Sequence, residues 1–152
     1  METHQEETVA AGILEVDALV IYCCDPRQEV NLWKRIKKYL LVPHRTRATG
    51  VGILGGPISL AYPDYLPIEY ALLTLKQIPF ALRKFPKITK IIVVGHDCGY
   101  YDEIPGGSEF PVEKKMKDLR RAAALLRRLL PKLKVSAFFA NEEDDGFKRI
   151  RR

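Results

Sequence analysis

Two strongly apolar runs, each ending in a short polar motif, dominate the hydrophobic pattern of the chain. The run at 18–22 leads into Cys-Cys-Asp-Pro-Arg at 23–27, and the run at 91–95 leads into His-Asp-Cys-Gly at 96–99. Short runs rich in β-branched residues, followed by helical patterns, are typical of buried parallel strands. Ligands in such sheets bind beyond the carboxyl ends of the strands. We therefore expect the two polar motifs to meet at one edge of a sheet.

The rest of the pattern predicts further elements around these two strands. We expect helices at about 28–40, 67–78 and 112–130, strands at 42–49 and 135–139, a glycine-rich loop at 50–57, and a kink at Pro79. Strands that alternate with helices in this way indicate an α/β fold. The sequence thus predicts a small, mainly parallel, four-stranded sheet flanked by helices.

Length and composition are those of one compact domain. The chain has 152 residues, of which 47% are hydrophobic, so we expect a single domain over 1–152 with a core that needs no disulfide bonds. We expect residues 1–12 to be a flexible N-terminus and 141–152 to be a terminal charged helix or tail. No apolar run approaches the roughly 18 residues of a membrane span, and 1–8 is acidic and polar. We therefore expect no membrane association and a cytoplasmic location.

The positive charge is concentrated at the C-terminal end. The net charge is +6, yet residues 111–152 carry 13 Lys or Arg against 6 Asp or Glu, a net +7 that leaves −1 for the rest. A basic face of this kind can bind nucleic acid, and a steep salt dependence of binding would reveal it. No recognised nucleic-acid-binding module accompanies the charge. We therefore expect a solvated helix face and a charged tail rather than a nucleic-acid partner.

Thiols and an imidazole are the chemistry-bearing groups of the two motifs. Three cysteines, two of them adjacent, suit a disulfide framework poorly and suit metal binding better. Cys23 and Cys24 point to opposite sides of a strand, whereas His96 and Cys98 lie two apart and share a side. Thiolate and imidazole together are a zinc ligand set, and three protein ligands with a free fourth position are typical of catalytic zinc. An aspartate, at 25 or 97, could also replace a sulfur, or the site could lack metal.

These motifs resemble those of the β-class carbonic anhydrases. Cys23, Asp25 and Arg27 match the family's Cys-x-Asp-x-Arg, and His-Asp-Cys-Gly at 96–99 is similar to its His-x-x-Cys-Gly, with one residue between the ligands instead of two. Arg-Ala-Thr-Gly at 47–50 and Pro-Ile-Glu-Tyr-Ala at 67–71 resemble the family's Arg-Asn-Ala-Gly and Ser-Leu-Glu-Tyr-Ala. The order and spacing of all four agree, so the resemblance covers roughly residues 19–101.

The resemblance implies a site and a reaction. Cys23, His96 and Cys98 would bind Zn2+, and Arg27 would hold the carboxylate of Asp25 so that the fourth position is left to water. Zinc lowers the pKa of such a water to about 7, which allows attack on carbon dioxide to give bicarbonate. Asp25 would orient the nucleophile. The resemblance also implies a homodimer, because the family's active sites lie at dimer interfaces.

Two alternatives keep the same fold. Relatives of this class hydrolyse carbonyl sulfide or carbon disulfide with zinc, so the substrate could differ. A non-catalytic zinc-binding protein is the other alternative, because the second motif is shortened and the Arg-Asn-Ala-Gly segment is only partly present. Zinc content and the effect of a Cys23→Ser substitution separate the enzymes from a protein that has lost the site.

Overall fold

A computed structural model describes residues 15–152 with the exception of 26, 28, 63, 65–67, 142 and 144. The N-terminal segment 1–12, for which we expect flexibility, lies outside the described residues. So does Pro67, the expected first residue of the second long helix.

The described residues form strands and helices in alternation. The strands are β1 (Ala18–Cys23), β2 (Ala48–Ile53), β3 (Lys90–Gly95), β4 (Lys134–Ala140) and β5 (Phe147–Ile150). The helices are α1 (Glu29–Ile36), α2 (Ile58–Ala61), α3 (Ile68–Lys84) and α4 (Val112–Leu129), with a π-helical turn at Lys37–Leu41 and 3-10 turns at Val42–His44, Gly99–Glu103 and Gly107–Glu109. Within the described residues, no helix has both the length and the apolar character needed to cross a bilayer.

The sheet has the order β2-β1-β3-β4-β5 and confirms the predicted fold class, α/β with a mainly parallel sheet flanked by helices. β1 pairs in parallel with both β2 and β3, and β3 pairs in parallel with β4. The register places Ile21 beside Val93, so the carboxyl ends of β1 and β3 lie side by side. The two polar motifs therefore leave the sheet at the same edge, as the sequence predicts.

The sheet separates two apolar layers, because successive side chains of a strand point to opposite faces. On β1, Leu19 and Ile21 pack into the layer formed with α3 and α4, whereas Ala18 and Val20 pack into the layer formed with α1. All four β1 side chains are buried. This burial on both faces explains why the sequence of β1 is a continuous apolar run.

The glycine-rich segment departs from the expectation, because most of it is strand. β2 begins at Ala48, and 42–44, expected as strand, is a 3-10 turn. Only 54–57 is a turn. A Cβ atom built at Gly50 would lie 2.8 Å from the Tyr22 ring, and Tyr22 packs against Trp33 with 5.2 Å between ring centroids. Gly50 thus makes room for an aromatic pair on the sheet rather than forming a loop.

The charged helix or tail expected at 141–152 and the expected count of four strands are both wrong, because the segment contains a fifth strand. β5 pairs antiparallel with β4, and its Ile150 is buried in the α4 side of the core while Phe147 packs against the α1 side. This alternation is that of a strand. The Arg35 guanidinium donates to the backbone carbonyls of Asn141 and Gly146, both at 2.7 Å, and so joins α1 to the turn before β5.

The second long helix, expected to run to about residue 78 with a kink at Pro79, continues past the proline. α3 continues from Ile68 to Lys84 with Pro79 inside it. The proline occupies an exposed position of the helix. Solvent can therefore satisfy the carbonyl that loses its helical hydrogen bond.

Candidate metal centre

Three predicted ligands converge where β1 and β3 end. Cys23 is the last residue of β1, and His96 directly follows Gly95, the last residue of β3. Cys98 has extended backbone angles, φ −105° and ψ 132°, which suits the placement of its side chain on the same side as that of His96. The structure thus brings the side chains of Cys23, His96 and Cys98 together, and all three are buried.

The spacing of the donor atoms fits a tetrahedral ion. The sulfur atoms of Cys23 and Cys98 lie 3.7 Å apart. Two thiolates each about 2.3 Å from one zinc ion, at the tetrahedral angle, would lie about 3.8 Å apart. One nitrogen of His96 completes the group, and the three donor atoms lie within 4.8 Å of one another. The shortened His-x-Cys spacing therefore still gathers a three-ligand set that could hold a metal.

The imidazole of His96 presents a free nitrogen. Its Nδ1 lies 3.1 Å from the carbonyl oxygen of Asp97, so Nδ1–H donates there. A neutral imidazole with its proton on Nδ1 has a lone pair on Nε2. Nε2 is buried and has no hydrogen-bond partner among the described residues. A buried acceptor without a partner is costly, and metal-ligating histidines commonly anchor their other nitrogen in this way.

The two thiols hold their protons very differently. A hydrogen bond from the Cys98 thiol lowers the pKa of Cys23. That same hydrogen bond, together with burial, raises the pKa of Cys98. The pair thus gives up a first proton readily and retains the second in the absence of a cation. A divalent cation would deprotonate a coordinating thiol outright, so this pair is suited to binding one.

A carboxylate and a guanidinium lie beside the three ligands. Arg27 Nε donates to both carboxylate oxygens of Asp25, at 3.0 and 3.1 Å, and Nη2 donates to Oδ2 at 2.5 Å. The backbone N–H of Arg27 donates to Oδ1 at 2.9 Å. These bonds lower the pKa of Asp25 to about 2. The Asp25 side chain is 5% exposed and the Arg27 side chain 75%, so arginine fixes an ionised carboxylate from the solvent side.

Two cavities adjoin the centre and differ in size. An open cavity of about 180 Å³ is lined by Asp25, Arg27, His96, Asp97 and Gly99. A second space of about 10 Å³ borders both cysteines and His96 on the inner side. A single water needs about 10–15 Å³ of such space. The inner space is therefore at the limit for one water, and the outer cavity has room for a small molecule.

The loop after β2 closes on the first ligand. Gly56 has φ +51°, and a Cβ atom built there would lie 2.7 Å from the backbone nitrogen of Cys23. Only glycine fits this approach at a left-handed backbone angle. Cys24 is half-buried and is not one of the three clustered donors, in agreement with its expected position on the other side of β1.

Sequence reasoning missed a layer of polar groups behind the centre. Lys115, which is buried, forms an ion pair with the side chain of Asp97. Asp118, also buried, accepts a hydrogen bond from Tyr62 at 2.7 Å and one from Lys114 at 2.5 Å. Lys115 and Asp118 are three apart on α4 and lie next to its apolar stripe. Polar residues on the buried side of an amphipathic helix were the available signal.

Comparisons with known proteins add one structural likeness. No protein-family model and no curated protein matches the sequence. A solved structure, carbonic anhydrase from Glaciozyma antarctica, is similar to this chain with a TM-score of 0.49 and 14% identity, over 99% of this chain and 100% of that chain. A likeness at this level does not establish membership of a family.

Proposed function

We propose that this chain is a zinc-dependent carbonic anhydrase that interconverts carbon dioxide and bicarbonate. The observation that carries the proposal is the buried group of Cys23, His96 and Cys98, with a sulfur–sulfur distance of 3.7 Å and an unpartnered imidazole nitrogen. Two thiolates and an imidazole favour zinc over magnesium or calcium, which prefer oxygen ligands. A zinc ion with three protein ligands supplies a water-derived nucleophile at neutral pH.

Asp25 and Arg27 would orient the nucleophile. A carboxylate that stays ionised can accept a hydrogen bond from it and so direct its lone pair toward the substrate. The bonds from Arg27 hold the carboxylate in one position and occupy both of its oxygens. In this proposal Asp25 orients the nucleophile because arginine keeps it from becoming a fourth metal ligand.

The charge of the site suits a neutral substrate. Two thiolates balance one divalent cation, and Arg27 balances Asp25, so the centre has no net charge to attract an anion. The outer cavity of about 180 Å³, lined by Asp25, Arg27 and His96, would admit a three-atom molecule together with water. Carbon dioxide meets both conditions.

Stopped-flow measurement of carbon dioxide hydration by zinc-loaded protein tests the proposal. We expect activity in the wild type and its loss in Cys23→Ser. Zinc-loaded wild type that hydrolyses carbonyl sulfide or carbon disulfide but does not hydrate carbon dioxide would replace this substrate with the sulfur analogue. Zinc-loaded wild type inactive on all three would contradict an enzymatic role and leave a metal-binding protein.

We further propose a homodimer in a cytoplasmic setting. Exposed apolar side chains on the outer face of α3, namely Leu72, Leu73 and Phe80, support a self-association surface. Sedimentation velocity of the full chain tests this, and a monomer at micromolar concentration would contradict it.

A further inference from the structure

A large basic groove lies along the edge strand β5, whereas the metal centre lies where β1 and β3 end. It runs between α4, the start of β4 and the whole of β5, with a volume of about 1000 Å³. The basic groove is lined by Met116, Arg120, Arg127, Lys134, Val135, Ser136, Phe147, Lys148, Arg149, Ile150, Arg151 and Arg152. Seven of these residues are cations, and none is acidic.

The described carboxylates leave the charges of the groove's cations unneutralised. Among the described residues, none of the seven takes part in a salt bridge. Arg120 donates through Nε to the backbone carbonyl of Arg151, and Arg127 donates through Nη2 to that of Val135, both at 3.1 Å. These bonds fix two guanidinium groups in place without neutralising them. Seven like charges around one groove raise the local positive potential, which favours the entry of an anion.

Among these cations, Arg127 shows most clearly that a hydrogen-bond donor is left unpaired. Its Nε is buried and has no hydrogen-bond partner among the described residues. Burial and the nearby charge of Arg152 lower the pKa of Arg127 from its ordinary value. A buried donor on a charged group is costly when unpaired. An anionic acceptor in the basic groove would relieve that cost.

The positive charge of the basic groove continues onto the other face of the sheet. A smaller cavity of about 180 Å³ shares Lys134, Ser136 and Arg149 with the basic groove and adds Lys90 and His44. None of the described residues that line this cavity is acidic. The cations therefore converge from two sides on the start of β4, as they would around one compact and highly charged ligand.

We propose that the basic groove binds a compact polyphosphate anion, a chain of phosphoryl groups that is either free or carried by a nucleotide. Guanidinium groups form paired hydrogen bonds with phosphate oxygens. Besides Arg127, the groove has four arginines, namely Arg120, Arg149, Arg151 and Arg152. A volume of about 1000 Å³ is at the upper end of small-molecule sites. Cys23, His96 and Cys98 are not among the residues that line the groove, so its occupancy does not depend on the proposed catalysis.

The lining argues against a nucleic-acid strand. Proteins that bind single strands stack successive bases on exposed aromatic rings. Phe147 supplies the aromatic ring of the groove, but it is half-buried and Arg35 lies over it at 5.3 Å. Phosphoryl recognition is therefore what this set of side chains offers.

Calorimetric titration of the full chain tests the proposal, in magnesium-free buffer at 150 mM salt. The ligands are inorganic tripolyphosphate, adenosine triphosphate, orthophosphate and a 20-nucleotide single-stranded DNA. The groove variant is Lys148→Gln/Arg149→Gln. Its matched control is Lys117→Gln/Arg128→Gln, which removes the same two residue types from exposed positions outside the groove lining. Both variants lower the net charge equally.

We expect saturable binding of tripolyphosphate that is tighter than binding of orthophosphate. The groove variant should weaken it about tenfold for each lost charge-assisted hydrogen bond, and the control less than about twofold. Equal affinity for the nucleotide indicates recognition of the phosphoryl chain alone, and tighter nucleotide binding indicates a nucleotide as the source.

Three results would overturn the proposal. The first is the absence of saturable tripolyphosphate binding. The second is an equal loss in the groove and control variants, which would assign binding to net charge. The third is tighter binding of the DNA than of either polyphosphate ligand, with loss in the groove variant, which would assign the groove to nucleic acid. Circular dichroism of both variants verifies that they are folded.

Discussion

Replacing Lys115 with methionine should weaken zinc binding although Lys115 is not a ligand. Lys115 pairs with the side chain of Asp97, and the backbone carbonyl of Asp97 accepts the hydrogen bond from His96 Nδ1. The lysine thus holds the segment that fixes the imidazole orientation. Groups that support a metal ligand in this way typically account for 10–100-fold in affinity.

The structure sets the expected magnitude at the low end of that range. The carbonyl that contacts His96 belongs to the backbone and survives the substitution, so we expect about a tenfold loss, equivalent to about 1.4 kcal/mol. The Lys115 side chain is 7% exposed and that of Asp97 is 42% exposed. Methionine keeps the buried volume filled, and water can solvate Asp97, so the free energy of unfolding without metal should change by less than about 1 kcal/mol.

Competition with a chromophoric zinc chelator measures the affinity, and urea unfolding of the metal-free protein measures stability. Lys117→Met is the matched control, because Lys117 is an exposed lysine on the same helix. Wild-type affinity in Lys115→Met would refute the positioning role. So would an equal loss of affinity in the control, since the effect would then follow charge rather than the contact with Asp97.

Three further substitutions test separate parts of the account. Gly56→Ala should lower the free energy of unfolding by at least about 2 kcal/mol in thermal or urea denaturation. The reason is that a side chain at this left-handed position meets the Cys23 backbone. A cost below about 0.5 kcal/mol, which is typical of a neutral surface change, would contradict the tight approach. Tyr62→Phe should cost about 1.5–3 kcal/mol by removing a hydrogen bond to the buried carboxylate of Asp118, and unchanged urea unfolding would show that water replaces it. Arg27→Gln should leave zinc content unchanged and lower carbon dioxide hydration by about 100-fold or more, and full activity would remove arginine from the mechanism.

The sequence was most informative where a residue's role depends on its own strand. The apolar runs of β1 and β3 predicted buried parallel strands, and the parallel register then brings their ends together. Because His96 and Cys98 are two apart, extended backbone was enough to anticipate that they share a side. Periodicity and topology therefore indicated that a cysteine of β1 would meet His96 and Cys98, and the resemblance to the β-class motif selected Cys23 over Cys24.

Contacts between distant segments were less predictable. Lys115 and Asp118 lie next to the apolar stripe of α4, which is a local sign of burial, but no local pattern shows that the 96–110 loop is what covers them. β5 was missed because its two exposed cations, Lys148 and Arg149, conceal a short alternation between Phe147 and Ile150. Its strand character comes from pairing with β4, which no local pattern specifies.

The most direct test of the central claim is the metal content of purified protein by plasma mass spectrometry, with wild type compared with Cys98→Ser. The account predicts about one zinc per chain in the wild type and its loss in the variant, because zinc at this buried site needs the Cys98 thiolate. Wild-type protein without stoichiometric metal after zinc loading, or a Cys98→Ser variant that retains it in full, would contradict the proposed centre.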